Sequence, residues 1–137
     1  MAYTARKVEY FYITVNTTVE EAYQLLVNLA DLGVNFLAMT SIPLGPASTQ
    51  LTLFPEDTSR LVTVARQTGL TLTGPYPAVL VQGDDEIGAL AHILEHVRHE
   101  NVDVYASSGV TDGKGHYGYI LYVRPEQADR AARALVK

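Results

Sequence analysis

The 137-residue chain is 47% apolar, carries a formal net charge of −5 and has no cysteine, which fits a globular fold and excludes disulfides, thiolate nucleophiles and thiolate metal sites. Its ten basic residues are scattered, with only Arg6 and Lys7 adjacent, so neither a nucleic-acid footprint nor a basic membrane-binding helix is expected. No apolar run approaches the roughly 20 residues that span a bilayer, the N-terminus lacks the apolar core of a signal peptide, the expected location is cytoplasmic, and disorder is expected only in the first few residues.

In chain order, Phe11 to Val15 alternates apolar with polar side chains and predicts a half-buried strand. From Thr18 to about Asp31, Ala22, Leu25, Leu26, Leu29 and Leu32 recur at helical spacing, which makes one apolar stripe. Gly33 to Met39 and Thr49 to Phe54 read as strands, Pro55 to Arg60 opens a second helix, and Leu70 to Thr73 is the closing strand. The segment Thr73-Gly-Pro-Tyr-Pro77 reads as a short, stiff connector of turn-forming residues. The order then recurs: a strand at Ala78 to Val81, a helix from about Glu86 to His99 with the stripe Leu90, Ile93, Leu94 and Val97, and a strand at Val102 to Ala106. The tight hairpin Asp112-Gly-Lys-Gly115 follows, then a strand at Tyr117 to Val123. A last helix opens at Pro125 to Arg130 and carries Ala128, Ala131, Ala132 and Leu135 on one side.

Leu25, Leu26, Leu29 and Val34 fall on Ile93, Leu94, Val97 and Val102 at one constant offset, and both second helices begin Pro-Glu-x-x-x-Arg. The chain therefore reads as a duplicated module, residues 1–74 and 75–137, with function placed between the copies. The expected class is α+β: two ferredoxin-like βαββαβ repeats with antiparallel sheets and helices on one face. The second repeat lacks a clear final strand, which leaves an unpaired neighbour that pairing with the other copy or another chain would cover.

The turn Val81-Gln-Gly-Asp-Asp-Glu-Ile-Gly-Ala-Leu90 joins an apolar strand to an amphipathic helix. Gly88 permits close approach to the backbone, and the unpaired N–H groups of a helix first turn favour a carboxylate. The plain alternative is that Asp84 or Asp85 simply caps the helix. Asp85-Glu-Ile-Gly88-Ala-Leu90, with the following Ala-His-Ile-Leu, resembles the D-x-P-G-x-L signature at the strand-to-helix turn of ACT domains, the small-molecule sensing modules of amino-acid metabolism. Gly33-Val34-Asn35 is similar to the G-[IV]-N entry to the second strand of that family, and the topology and duplication extend the resemblance over nearly the whole chain.

The resemblance implies a non-catalytic regulatory protein that binds a small ligand, an amino acid, at the interface of two ACT domains, and works as a homodimer or through a partner enzyme. It implies ligand contacts from Asp85, Ile87, Gly88, Ala89 and Leu90, and from Asn35 on a facing copy. Two departures stand out. Ile87 replaces the family's frequent proline, and the first copy has Thr17-Thr-Val-Glu-Glu21, where Glu20 or Glu21 would crowd and repel a carboxylate. One working site per chain is therefore expected, with Asp103 in the second copy replacing the family's asparagine. No cofactor and no metal are assigned.

Two rival readings belong to other classes. One is an ACT-fold scaffold or interaction module without a ligand. The other rests on His92-Ile-Leu-Glu95-His96, which spells H-x-x-E-H, with His99 a turn later. The three histidines fall on one helix face opposite the apolar stripe and are expected to face solvent, where a pair at i and i+4 can chelate a transition metal. Proteolysis would need a further ligand and a substrate cleft. Among the nine tyrosines, Tyr117 and Tyr119 share a strand face and read either as an interface or as ordinary strand formers.

Overall fold

The computed structural model describes residues 2–16 and 18–136. Its elements are β1 (Tyr3–Asn16), α1 (Val19–Asp31), β2 (Phe36–Pro43), β3 (Ser48–Pro55), α2 (Thr58–Thr68), β4 (Thr73–Asp84), α3 (Ala89–His99), β5 (Val104–Thr111), β6 (His116–Val123), a 3-10 turn at Pro125–Gln127 and α4 (Ala128–Leu135). The chain divides into two units: Glu9–Tyr76, and the residues up to Val8 together with those from Pro77 onward.

In the Glu9–Tyr76 unit, β3 lies between β1 and β2, antiparallel to both, with Phe11 opposite Leu53 and Met39 opposite the same Leu53. Alternation sends Phe11, Ile13, Val15, Leu51 and Leu53 to one face. There they meet Leu29 of α1, Val34, and Leu61 and Val64 of α2 in a core that Leu25, Phe36, Leu70 and Leu72 flank. The opposite face carries an aromatic cluster in which Tyr10 stacks on Phe54 at 5.1 Å and on Tyr76 at 5.6 Å between ring centroids. The first residues of β4 lie against β1 here, since a Cβ on Gly74 would stand 2.9 Å from the Tyr10 carbonyl oxygen.

The other unit repeats this plan with β6 between β4 and β5, Val79 opposite Leu121 and Ser107 opposite the same Leu121. Val79, Val81, Tyr119, Leu121 and Val123 pack against Ile93 and Val97 of α3 and Ala128, Ala131 and Leu135 of α4. The start of β1 lies beside β4 in this unit. The Asp84 N–H donates to the Ala2 carbonyl at 3.1 Å, Tyr3 and Ala5 pack on the core, and Lys7 Nζ meets Asp129 Oδ1 at 2.9 Å.

The offset read from the helices persists in the backbone. The N–H of Val34 donates to the Leu29 carbonyl and that of Val102 to the Val97 carbonyl, and the N–H groups of Leu44 and Asp112 close the two hairpins on Ser48 and His116. Both second strands bulge at matching positions, between Phe36 and Ala38 and between Val104 and Ala106. Gly33 at φ 82° and Asn101 at φ 57° make equivalent left-handed exits from α1 and α3, a conformation glycine adopts freely and asparagine tolerates. The arginine of the Pro-Glu-x-x-x-Arg pattern also has matching roles. Arg60 lies 3.3 Å from where a Gly33 Cβ would stand, and Arg130 donates to the Glu100 carbonyl at 3.4 Å, so each cation serves the negative end of the preceding helix.

Several local expectations need correction. Leu70 to Thr73 is not the closing strand. Gly69 ends α2 in the left-handed conformation and the Leu70 N–H donates back to Ala65, so Leu70 and Leu72 are half-buried as the apolar contact of a helix C-terminus rather than as strand alternation. The expected connector Thr73–Pro77 is instead the start of β4. Residues from Tyr3 onward, expected to be disordered, form β1, whose start lies beside β4 where no further strand was expected. Tyr117 and Tyr119, read as a possible interface, are 6% and 5% exposed and belong to the core under α3.

Candidate functional site

After β4 ends at Asp84, the Asp85 N–H donates to the Gly115 carbonyl at 2.9 Å, which ties the turn to the β5–β6 hairpin. That hairpin is held by Asp112, whose carboxylate accepts from the backbone N–H groups of Lys114 at 2.7 Å and His116 at 3.1 Å. These bonds, the Lys114 one foremost, hold the Asp112 carboxyl below its ordinary value. The chain then turns at Gly88, in the N-cap position of α3 with φ 85°. A Cβ there would meet nothing within 4 Å, so the backbone conformation, and not a lack of room, calls for glycine.

The helix opens three residues later than its expected start at Glu86, and no side chain caps it; the capping expected of Asp84 or Asp85 does not occur. The Ala89 N–H is taken by the Glu86 carbonyl at 3.0 Å and the His92 N–H by that of Gly88 at 2.9 Å. Between them, the N–H groups of Leu90 and Ala91 lie in the first turn, where α-helical geometry offers no acceptor.

Beside these groups is a cleft of 380 Å³, within the range of small-molecule sites. One wall is Asp85, Glu86, Gly88, Ala89, Leu90 and Ala91; the other is Gly109, Val110 and Thr111 of β5 with Tyr117 of β6. The two walls close on each other at Gly109, where a Cβ would stand 3.1 Å from the Tyr119 ring and 3.4 Å from Leu90 Cδ1. Burial raises the pKa of the Tyr117 hydroxyl, with the neighbouring Tyr3 and Asp84 adding to it, so this wall presents a neutral phenol. The cleft thus combines the first turn of α3, where helix geometry leaves amides without an intrahelical acceptor, with two carboxylates and an apolar wall.

Of the sequence-predicted contacts, Asp85, Gly88, Ala89 and Leu90 come together here. Ile87 does not line the cleft and is fully exposed at the tip of the turn. Asn35 belongs to the Glu9–Tyr76 unit, where its Nδ2 donates to Glu56 Oε2 at 3.0 Å and its carbonyl accepts from the Glu56 N–H at 2.9 Å. The matching positions in the other unit, Asp103 and Arg124, are 3.7 Å apart with both charges exposed. The first-copy turn differs from Gly88: α1 is already helical at Glu20 and Glu21, which place two carboxylates in its first turn, while Thr17 lies outside the described residues. A cleft of 580 Å³ in the Glu9–Tyr76 unit is lined by Tyr12, Gln24, Thr71 and Glu21 among others, so it opens beside one of those carboxylates.

Sequence reasoning missed Glu86, Ala91 and the whole β5 wall. The strand was expected to stop at Ala106, because Ser107-Ser-Gly-Val-Thr111 is neither alternating nor β-rich. The hairpin was a usable signal, since it sets Thr111 opposite Tyr117.

The histidines do not form one solvent-facing group. His92 and His96 are half-buried, with their Nε2 atoms 3.2 Å apart. His99 is exposed and turns to Glu95 at 3.8 Å. Among the described residues no three His, Asp or Glu side chains converge on a metal-sized space, so the H-x-x-E-H segment has no third protein ligand there. No helix among them is long and apolar enough to cross a membrane.

No protein-family model matches the sequence, and no curated protein is similar to it. Solved structures are similar. A protein from Bacteroides thetaiotaomicron superposes with a TM-score of 0.78 at 15% identity, over 96% of this chain and 88% of its own. The ligand-free regulatory subunit of aspartate kinase from Thermus thermophilus gives 0.65 at 12% identity, covering 96% and 93%. The aspartokinase alpha and beta subunits give 0.61 at 14%, covering 98% and 95%. At such identities the likeness establishes the fold, an ACT-like α+β arrangement.

Proposed function

We propose, with that ACT-like fold as the premise, that this chain is a non-catalytic regulatory protein that binds a free amino acid at the β4–α3 turn. The observation that carries the reading is the cleft at Gly88. The N–H groups of Leu90 and Ala91 sit at the positive end of α3, suited to a carboxylate, and Asp85 and Glu86 on the same wall suit an ammonium group. Leu90, Val110 and the neutral Tyr117 offer apolar surface to a side chain. A zwitterion satisfies all three features at once, whereas a simple anion would meet two uncompensated carboxylates.

The backbone correspondences support two ACT-like repeats, residues 1–74 and 75–137, in which the start of β1 completes the second. We assign one site per chain. Asn35 serves, on this reading, as a contact from a facing copy in a homodimer, after release from Glu56. The output is a shift between arrangements that bind the ligand unequally, passed to a partner enzyme in the cytoplasm, as the regulatory aspartate kinase subunits of like fold suggest by analogy.

Ile87 favours a second reading. A fully exposed isoleucine on this turn, with Leu90 at 40% and Val110 at 74% exposure lining the nearby cleft, offers apolar surface suited to a protein partner, as in an interaction module without a ligand. A thermal-shift screen of the untagged protein against the twenty amino acids separates the two. A selective rise supports the sensor, and a flat screen at millimolar ligand supports the module.

A further inference from the structure

Ligand binding at the turn gives no role to the two half-buried histidines on α3. We propose that His92 and His96 form a chelating site for a borderline divalent transition-metal ion such as zinc or nickel. They stand at i and i+4, and their Nε2 atoms have already converged to 3.2 Å. At a zinc–nitrogen distance of about 2.1 Å, two nitrogens that far apart subtend an angle of about 100° at the metal. This lies between the octahedral and tetrahedral values, so the nitrogens are already at chelating separation and the rings need only turn their lone pairs toward the ion. The rings are nearly perpendicular, at 88° with centroids 4.6 Å apart, and Tyr3 packs edge-on against His92 at 6.5 Å. Rings held between neighbours lose less freedom on ligation than exposed ones.

In the metal-free pair the two Nε2 atoms share a hydrogen bond whose donor is set by the tautomer, and ligation requires that Nε2 proton to leave so that both lone pairs go to the metal. The chain supplies two ligands, so water or a small anion completes the sphere. His99, engaged with Glu95, takes no part.

The test is calorimetric titration of the untagged protein with zinc chloride and with nickel chloride at pH 7.5. One ion per chain is expected. His92→Gln and His96→Gln, each checked for native circular dichroism, should lower affinity by about a hundredfold as the chelate becomes a single contact, and His99→Gln should leave it unchanged. Absence of binding, affinity that survives both substitutions, or equal loss in His99→Gln overturns the proposal. The first of these outcomes is read on the unsubstituted protein and needs no variant to fold. None of these outcomes depends on an amino acid binding at the turn.

Discussion

Ala91→Glu isolates the N-terminus of α3 as a carboxylate site. Ala91 is exposed, lines the cleft and occupies the third position of the helix after the Gly88 N-cap. A glutamate there costs a few tenths of a kcal/mol of helix propensity and gains about 0.3–1 kcal/mol from the helix dipole, less some repulsion from Asp85 and Glu86. The ligand-free protein should therefore melt within about 2 °C of the parent. The new carboxylate competes for the Leu90 and Ala91 amides and repels the ligand's own. An amino acid at a hundredfold excess over its Kd stabilises the parent by about 2.7 kcal/mol, on the order of 10 °C for a chain of this size, and this rise should vanish in the variant. Gly88→Ala is a poorer probe, because φ 85° costs an L-residue about 1–2 kcal/mol, so lost binding would be confounded with a deformed turn. Differential scanning fluorimetry with and without ligand is sufficient. A variant that keeps the parent's ligand shift would refute carboxylate binding at these amides, and a ligand-free melting point many degrees lower would refute the open first turn.

Gly83→Ala should lower stability by about 1–3 kcal/mol, because a Cβ there would stand 2.6 Å from the Ala2 carbonyl oxygen and 2.7 Å from Tyr3 Cβ. Gly118→Ala, with nothing within 4 Å, should be neutral or slightly stabilising, and urea melts of the pair distinguish close strand contact from a general intolerance of alanine. Leu61→Ala, at a fully buried site of the α2 core, should cost about 2–5 kcal/mol in the same assay. The Asp112 carboxyl is held below its ordinary value chiefly by the Lys114 N–H, so its contribution is present at neutral pH and is lost as pH falls below about 4 through the folded-state value. The melting-point gap between the parent and Asp112→Ala should accordingly close in acid, and a gap that stays constant from pH 7 to pH 3 would show that the carboxylate is not what holds the hairpin.

Features fixed by neighbours in sequence were legible in it. The stripe Ile93, Leu94 and Val97 and the Gly113 and Gly115 hairpin depend on spacings of a few residues, and the shared offset is a match between two such local patterns. What was not legible depends on partners distant in the chain. Tyr3-Thr-Ala-Arg-Lys carries two small or amphipathic residues on its inner side and becomes a strand only beside Gln82 and Gly83. Gly74 and Pro75 look like chain breakers, yet proline is tolerated in a strand wherever its missing N–H is not required. For Tyr117 and Tyr119, period-2 alternation gives a common face but not which face the helices cover, and so could not separate core from interface. At the site, the turn residues were recoverable from the motif while the β5 wall was not, because a Ser- and Gly-rich edge strand carries little strand preference of its own.

The asymmetry between the copies is narrower than their sequences suggest. Strand register, bulge, hairpin closure and left-handed helix exit agree at one offset, so the scaffold presents the same frame twice. The copies part where the first helix of each begins. In one, the chain enters α1 with Glu20 and Glu21 already in the first turn, and those carboxylates answer the positive end of the helix themselves. In the other, the left-handed Gly88 delays the helix to Ala89 and the first turn itself carries no acidic residue, so Asp85 and Glu86 stand before the helix rather than in it. Since the strand frame is common to both units, the difference proposed to matter for ligand binding comes down to a shift of two residues in where a helix starts.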